Sequence, residues 1–352
     1  MRSKKKAARR NQKVRRPPAE KRAKAATPAV ATPTTIEEAL LSGIIEGHSK
    51  ARIPEDAMLF NSIMSNLTPS LQSLSRSSGI YAGRHLYSII RSKKHYTWHE
   101  EALADLVKFF ENAGYSGITY NVFPDKINMR MHDRSHEYVG MNTHSFEAGL
   151  ISGFLTAARR QHASVDELEC SNNGAAYCRF DFSNAGTRRH DVQKASEAIR
   201  LLGEHLARQA SGSERPAELR VAPEYYALSS STMLGSGYSS EMQAVSAHLG
   251  TILTQLMSGG KSGTAAHGKP SASKAASVIR LLNLGKPNVR SPRPVKIDII
   301  FDRLHSRSEL VDISVALLRG MFAGRTNGDL VVVKEARKGG YKISIAERVR
   351  KK

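Results

Sequence analysis

The stretch HSFEAGLISGFLTAARRQHASVDELECSNNGAAYCRFDF (144–182) decides the fold. Begun one residue earlier, at Thr143, its first part reads as a helix to about residue 160. The small residues Ala148, Gly149, Ser152 and Gly153 recur along that helix and allow another backbone to approach closely. The second part reads as two strands, ASVDELECS (163–171) and AAYCRFDF (175–182), around Asn172-Asn173-Gly174, residues that suit a hairpin turn. A helix feeding a β-hairpin therefore closes the first half of the chain.

Upstream, IEEALLSGIIEGHS (36–49) reads as a short amphipathic helix with two acids in its first turn, which suits the helix dipole. Residues 75–94 carry helical apolar spacing at Ile80, Leu86, Ile89 and Ile90. Residues 98–113 form the clearest helix: Ala102, Leu106, Phe109, Phe110 and Ala113 follow a period near 3.6, and Gly114 stops it. GITYNVFPDKINMRMHD then predicts a hairpin with Pro124-Asp125 at its turn. The order is helix, helix, hairpin, helix, hairpin, an α+β domain.

The second half repeats that order after a long helix at 190–211. VSAHLGTIL (245–253) echoes AGRHLYSII (82–90), and ASKAASVIRLLNLG (272–285) echoes EALADLVKFFENAG (101–114). VKIDIIFD (295–302) echoes DKINMRMH (125–132), and ELVDISVALLRGMFAG (309–324) echoes THSFEAGLISGFLTAA (143–158). DLVVVKEARKGGYKISI (329–345) echoes DELECSNNGAAYCRFDF (166–182). Five matches in one order indicate an internal repeat rather than two unrelated α+β domains. The second copy lacks both cysteines, so the copies share no thiol chemistry. The stretch 260–273 reads as a flexible loop. The expected organisation is a tail at 1–35, a first domain at 36–185, a bridging helix at 186–214 and a degenerate second copy at 215–352, with the two copies paired within one chain as a monomer or homodimer.

The 352 residues carry a net charge of +21, and residues 1–25 hold +11 of it. Lys4, Lys5, Lys6, Arg9, Arg10, Arg15 and Arg16 lie there, followed by the small-residue linker ATPAVATPTT (26–35). Such a segment cannot bury enough apolar surface to offset its entropy, so disorder is expected over 1–35. A polyanion would relieve its self-repulsion and release counterions, which points to nucleic acid or the ribosome as partner; a solvated tail or a targeting signal is the competing reading. Aromatic content of 6% argues against a base-stacking surface. No apolar run reaches the roughly 18 residues of a spanning helix and no signal peptide is visible, so a soluble, cytoplasmic protein is expected.

The two cysteines, Cys170 and Cys178, flank the Asn172-Asn173-Gly174 turn, so both sulfurs can reach one point. Glu167 precedes Cys170 by three residues, and His144 starts the preceding helix. Thiolate, imidazole and carboxylate are all zinc donors, and four close a tetrahedron in a structural site. Two buried free thiols or a disulfide are the alternatives. Glu169 is the competing carboxylate; beside Cys170 it points to the opposite strand face, and a ligand must share the face of Cys170 or come from a bulge.

These residues resemble the C-terminal signature of the 4-vinyl reductase domain. In that pattern a small-residue helix follows a Cys or His and leads to a strand ending in E-x-x-C or E-C, a Gly turn and C-x-F. The resemblance covers about 55–182, with a degenerate second copy at about 215–347. It implies a hydrocarbon-binding or ligand-sensing module of the fold shared with TRAPP-complex subunits and with phenol-responsive transcription activators. The activators' zinc ligands Cys, Glu, Cys, Cys fall on His144, Glu167, Cys170 and Cys178, with His in place of the first Cys. Their aromatic ligand is held by a His and a Trp, for which the nearest positions are His95 and Phe123, with Tyr96 and Trp98 as substitutes; an exposed loop position is the competing reading of His95. A pocket under the 101–114 helix would be lined by Leu106, Phe109, Phe110 and Phe154, which otherwise read as plain core.

His99, His132 and His136 read as solvated. GGKSGT (259–264) fails as a phosphate loop, because Gln255 stands where the first glycine is needed. No catalytic triad order, H-E-x-x-H or dinucleotide fingerprint is present. The expected function is a non-enzymatic binder or sensor of a small apolar or aromatic ligand, with a structural zinc and a nucleic-acid-contacting tail. A structural nucleic-acid- or ribosome-associated protein, and an accessory factor of tetrapyrrole reduction, are the alternatives.

Overall fold

Thr35 starts the first helix by a reciprocal cap: its hydroxyl accepts the Glu38 N–H at 3.1 Å, and its own N–H donates to the Glu38 carboxylate at 3.3 Å. That helix, α1 (Ile36–Glu46), stops at Gly47, whose φ of 71° lies in the left-handed region. There follow β1 (Ala51–Pro54), α2 (Glu55–Met64), α3 (Pro69–Lys93), α4 (His99–Ala113), β2 (Ser116–Val122), β3 (Lys126–His132), α5 (Ser145–Arg159), β4 (Ser164–Glu169) and β5 (Cys178–Ser183). The second series is α6 (Ala195–Ala210), β6 (Glu218–Val221), α7 (Pro223–Leu234), α8 (Ser239–Met257), α9 (Ala272–Leu281), β7 (Lys286–Pro292), β8 (Val295–Phe301), α10 (Ser308–Phe322), β9 (Leu330–Arg337) and β10 (Gly340–Glu347).

This computed structural model describes residues 35–47, 50–96, 99–123, 126–132, 138–183, 195–214, 217–234, 239–257, 271–292, 295–301, 308–322, 330–337 and 340–347. The basic tail at 1–34, Trp98, the Pro124-Asp125 turn, His136 and most of the 260–273 loop lie outside them. The described residues belong to one unit, Thr34–Lys352.

The two series have the same ten elements in the same order, and their sheets have the same connectivity. One antiparallel sheet runs β2-β3-β5-β4 and the other β7-β8-β10-β9. In each, one face is apolar and buried: Ile127, Met129, Met131, Cys178, Phe180 and Phe182 in the first, Ile297, Ile299, Ile343 and Ile345 in the second. Helices α3 and α5 cross so closely that a Cβ at Gly83 would collide with the Leu150 carbonyl, and one at Gly153 with the Ile80 carbonyl. Helices α8 and α10 repeat the crossing, with Gly250 against the Leu317 carbonyl and Gly320 against the Ala247 carbonyl. Gly83 therefore corresponds to Gly250, one helical turn away from the match of His85 with His248 that the sequence echo implied.

The long α6 does more than bridge. It stands at the head of the second series as α1 does at the head of the first. The short strands β1 and β6 pair antiparallel, Ala51 opposite Val221 and Pro54 opposite Glu218, so each series contributes the same element to one ribbon. The helices that follow are exchanged. Leu59, Phe60, Ile63 and Met64 of α2 sit in the core of the second sheet, while Tyr225 and Leu228 of α7 sit in the core of the first. Helix α2 is also tied to α6 by His205 Nε2 and Asp56 Oδ1 at 3.0 Å. The cores consequently do not divide at 186–214. Burial on nearly every side explains why α2, with nine of its ten residues buried, shows no clean amphipathic period.

Candidate metal centre

The strand β4 carries an irregularity that sets the site. Glu167 stands opposite Phe180 and Glu169 opposite Arg179, so two steps on β4 match one on β5. This bulge at Leu168 shifts the alternation of faces. Without it Glu167 and Cys170, three residues apart, would point to opposite sides of the sheet. With it both turn inward, where Glu167 is 3% and Cys170 1% exposed. Glu169 turns outward and pairs with Arg179 at 2.8 Å. The competing carboxylate is thereby engaged elsewhere.

The turn after Cys170 is a short 3-10 segment, Ser171–Asn173, closed by Gly174 at φ 92°. It brings Cys178 back beneath Cys170, and Ser171 donates to the Cys178 sulfur from its backbone N–H at 3.5 Å. The Ser171 hydroxyl also lies 3.3 Å from that sulfur. Such donors suit a thiolate.

His144 stands at the N-cap of α5, and Glu167 grips it twice. Glu167 Oε2 accepts the His144 backbone N–H at 3.1 Å, and Oε1 meets Nδ1 at 2.7 Å. The preceding Thr143 accepts from the Asn172 amide at 3.0 Å, and its carbonyl accepts from the Asn66 amide at 2.8 Å. Asn66 Oδ1 also accepts the Ser145 hydroxyl. Asn66 and Thr143 were not legible as site residues, since they carry no motif and only the folded loop brings them to the helix start.

One donor atom from each of His144, Glu167, Cys170 and Cys178 lies within 4.8 Å of the others, and all four residues are buried. His144 Nδ1 is 3.5 Å from the Cys170 sulfur and 3.8 Å from the Cys178 sulfur. A tetrahedron with bonds of about 2.0–2.3 Å has edges of roughly 3.3–3.8 Å. The nitrogen–sulfur separations thus fit a shared ion. The Glu167–His144 contact is shorter, a hydrogen bond that metal binding would replace. The donor set and its spacing fit a metal ion. Burial raises the Cys170 thiol well above its ordinary range, and its hydrogen bond with Cys178 and the Glu167 charge raise it further, against a lowering by His144. The two thiols are free of any disulfide.

The other expected site residues are not gathered. His95 is exposed after α3, and Phe123 is 45% exposed at the end of β2. Phe110 is fully buried, edge-on to Tyr115 at 5.4 Å. Surface and core positions of this kind do not wall one pocket, so His95, Phe123 and Phe110 fail as a common ligand site. Leu106, Phe109, Phe110 and Phe154 pack as core at 0–1% exposure. At the register positions of Glu167 and Cys178 the second sheet has Lys334, opposite Ile343, and Tyr341, opposite Phe301.

Residues 131–184 match the family model of the vinyl-4-reductase domain, the family of the sequence resemblance. The matched span takes in α5, β4, β5 and all four clustered residues. No curated protein matches the chain. Among the described residues no helix is long and apolar enough to cross a membrane.

Proposed function

We propose that this chain is a non-enzymatic ligand-binding or sensor protein whose first copy is held together by zinc. The observation that carries the reading is the convergence of His144, Glu167, Cys170 and Cys178 inside the span that matches the vinyl-4-reductase domain. Two thiols with an imidazole and a carboxylate are a donor set suited to zinc. Four donors complete a tetrahedral ion and leave no position for water, so the bound metal would supply a cross-link rather than catalysis. His144 would bring the start of α5, Glu167 and Cys170 the end of β4, and Cys178 the start of β5. The fold then depends on the metal at the joint of helix and hairpin.

In the same reading the chain is two copies of one vinyl-4-reductase-like domain, paired internally. The repeated ten elements, the shared sheet order and the matching glycine crossings support it. Exchange of α2 and α7 would make each copy incomplete alone, which favours a monomer with a built-in pair. The charge of 1–25 supports contact of the tail with nucleic acid or the ribosome in the cytoplasm. A structural, ligand-free role is the second reading; it is favoured by the close-packed core where a pocket was expected.

Native mass spectrometry of the purified chain tests the proposal. Zinc and a co-purified apolar ligand are expected in the wild type, and zinc is expected to be lost in Cys170→Ser. Full zinc retention in that variant sinks the metal assignment. For the tail, nucleic-acid affinity is measured across salt with and without residues 1–34; an unchanged salt slope removes the tail from the proposal.

A further inference from the structure

The two halves can be compared position by position, and at one place they differ in chemistry. In the first half, Arg76 of α3 crosses to the free edge of β4. Its guanidinium donates to the Val165 carbonyl at 2.7 Å, to the Ser164 hydroxyl at 3.2 Å and to Asp166 at 3.0 Å. Arg76 also packs its backbone carbonyl against Gly149 of α5. The glycine crossing and the strand registers place Gln243, Ala316 and Val332 where the first half has Arg76, Gly149 and Val165. Ser164 and Asp166 become Val331 and Val333, exposed at 39% and 47%. The second half therefore has neither the long cationic side chain nor its partners.

A groove of about 360 Å³ lies at that place, lined by Gln243, Asp312, Val315, Ala316, Arg319 and Val332. The size is that of a small-molecule site. Asp312 and Arg319 are seven residues apart on α10, two turns or about 10 Å along one helix face. The groove thus has an acid towards one end, a base towards the other and an apolar floor of Val315, Ala316 and Val332 between them. Val332 keeps the register of the strand residue whose carbonyl receives a guanidinium in the first half.

We propose that this groove binds a small ω-guanidino or ω-amino carboxylate, whose cation takes the place that the Arg76 head occupies in the first half. Asp312 and the Val332 carbonyl receive the cation. Arg319 pairs with the carboxylate, and the aliphatic chain lies over the valines. This site is separate from the metal cluster and independent of it.

The test is calorimetric titration of the full chain with 4-guanidinobutyrate, butylguanidine and butyrate. Saturable binding of 4-guanidinobutyrate is expected. Asp312→Asn should weaken 4-guanidinobutyrate and butylguanidine alike by about tenfold or more. Arg319→Gln should weaken 4-guanidinobutyrate and leave butylguanidine unchanged. Gln243→Arg, which rebuilds the first-half arrangement, should abolish binding of all three. Absence of saturable heat with 4-guanidinobutyrate at millimolar concentration overturns the proposal, as does wild-type affinity in Gln243→Arg. Should Gln243→Arg fail to fold, the Arg319→Gln comparison decides: equal loss for both guanidines, or none for either, overturns the assignment.

Discussion

Tyr225 donates its hydroxyl to Glu147 Oε1 at 2.7 Å, and Tyr115 donates to the same oxygen at 2.6 Å. Tyr225 belongs to α7, in the second series, yet the bond lies in the core of the first sheet. All three residues are buried, so the carboxylate depends on these two donors in place of water. Tyr225→Phe keeps the ring packed edge-on to Phe109 and Phe146 and removes only the bond. It should cost about 1.5–3 kcal/mol in denaturant unfolding. The joint loss with Tyr115→Phe should differ from the sum of the single losses, because both act on one oxygen.

The glycine crossings give a second test. Gly83→Ala places a methyl group into the Leu150 carbonyl, and Gly250→Ala does the same at Leu317. Backbone cannot yield as a side-chain tip can, so the helices must separate. Each variant should lose about 3 kcal/mol or fail to fold. Gly212→Ala is the contrast: its new Cβ meets open space and only the left-handed φ of 76° is strained, for about 1 kcal/mol. Thermal midpoints of the three variants check the ranking.

These glycines also show where sequence reading stops. The period of α4 and its arrest at Gly114 were legible, because one face of α4 meets one core and Gly114 has φ 111°. The two cysteines and His144 were legible because a turn and a helix start brought them together locally. The true correspondence of α3 with α8 was not, since a slip of one helical turn leaves an apolar stripe almost unchanged; only the contact of Gly83 and Gly250 with carbonyls fixes it. The exchange of α2 and α7 was hidden for a different reason. A segment buried on most sides, such as EDAMLFNSIM (55–64), has no polar face to mark its period, and nothing local names the core it enters.

On the outer side of the second sheet, Asp298 predicts a pH dependence. Burial alone would raise its carboxyl, but the Ser344 hydroxyl at 2.7 Å, the Lys342 ammonium at 3.3 Å and the Arg290 guanidinium outweigh it and hold the group below its ordinary value. A carboxyl lowered by folding adds stability that is complete above its unfolded pKa of about 3.9 and vanishes as pH falls through the lower folded value. Asp298→Asn should therefore cost most near neutral pH, and its deficit should shrink as the solution is acidified below that range. Unfolding free energies from pH 7 down to pH 2 decide it; a deficit that grows towards acid contradicts the ion-pair account.

The bulge at Leu168 makes the last prediction, because it chooses between two neighbouring acids. Glu167 faces inward to His144 and the sulfurs, and Glu169 faces outward to Arg179. Glu167→Gln removes an anionic oxygen from the cluster and weakens the grip on the start of α5, so bound metal should fall by about tenfold or more in competition with a chromophoric chelator. Glu169→Gln removes only a half-exposed ion pair, worth at most about 1 kcal/mol, and should keep full metal content. The chemistry of the two substitutions is identical, so any difference in metal content comes from which way the strand turns each side chain. Equal metal content in both variants would mean that the bulge does not select the ligand and that the carboxylate is no part of the site.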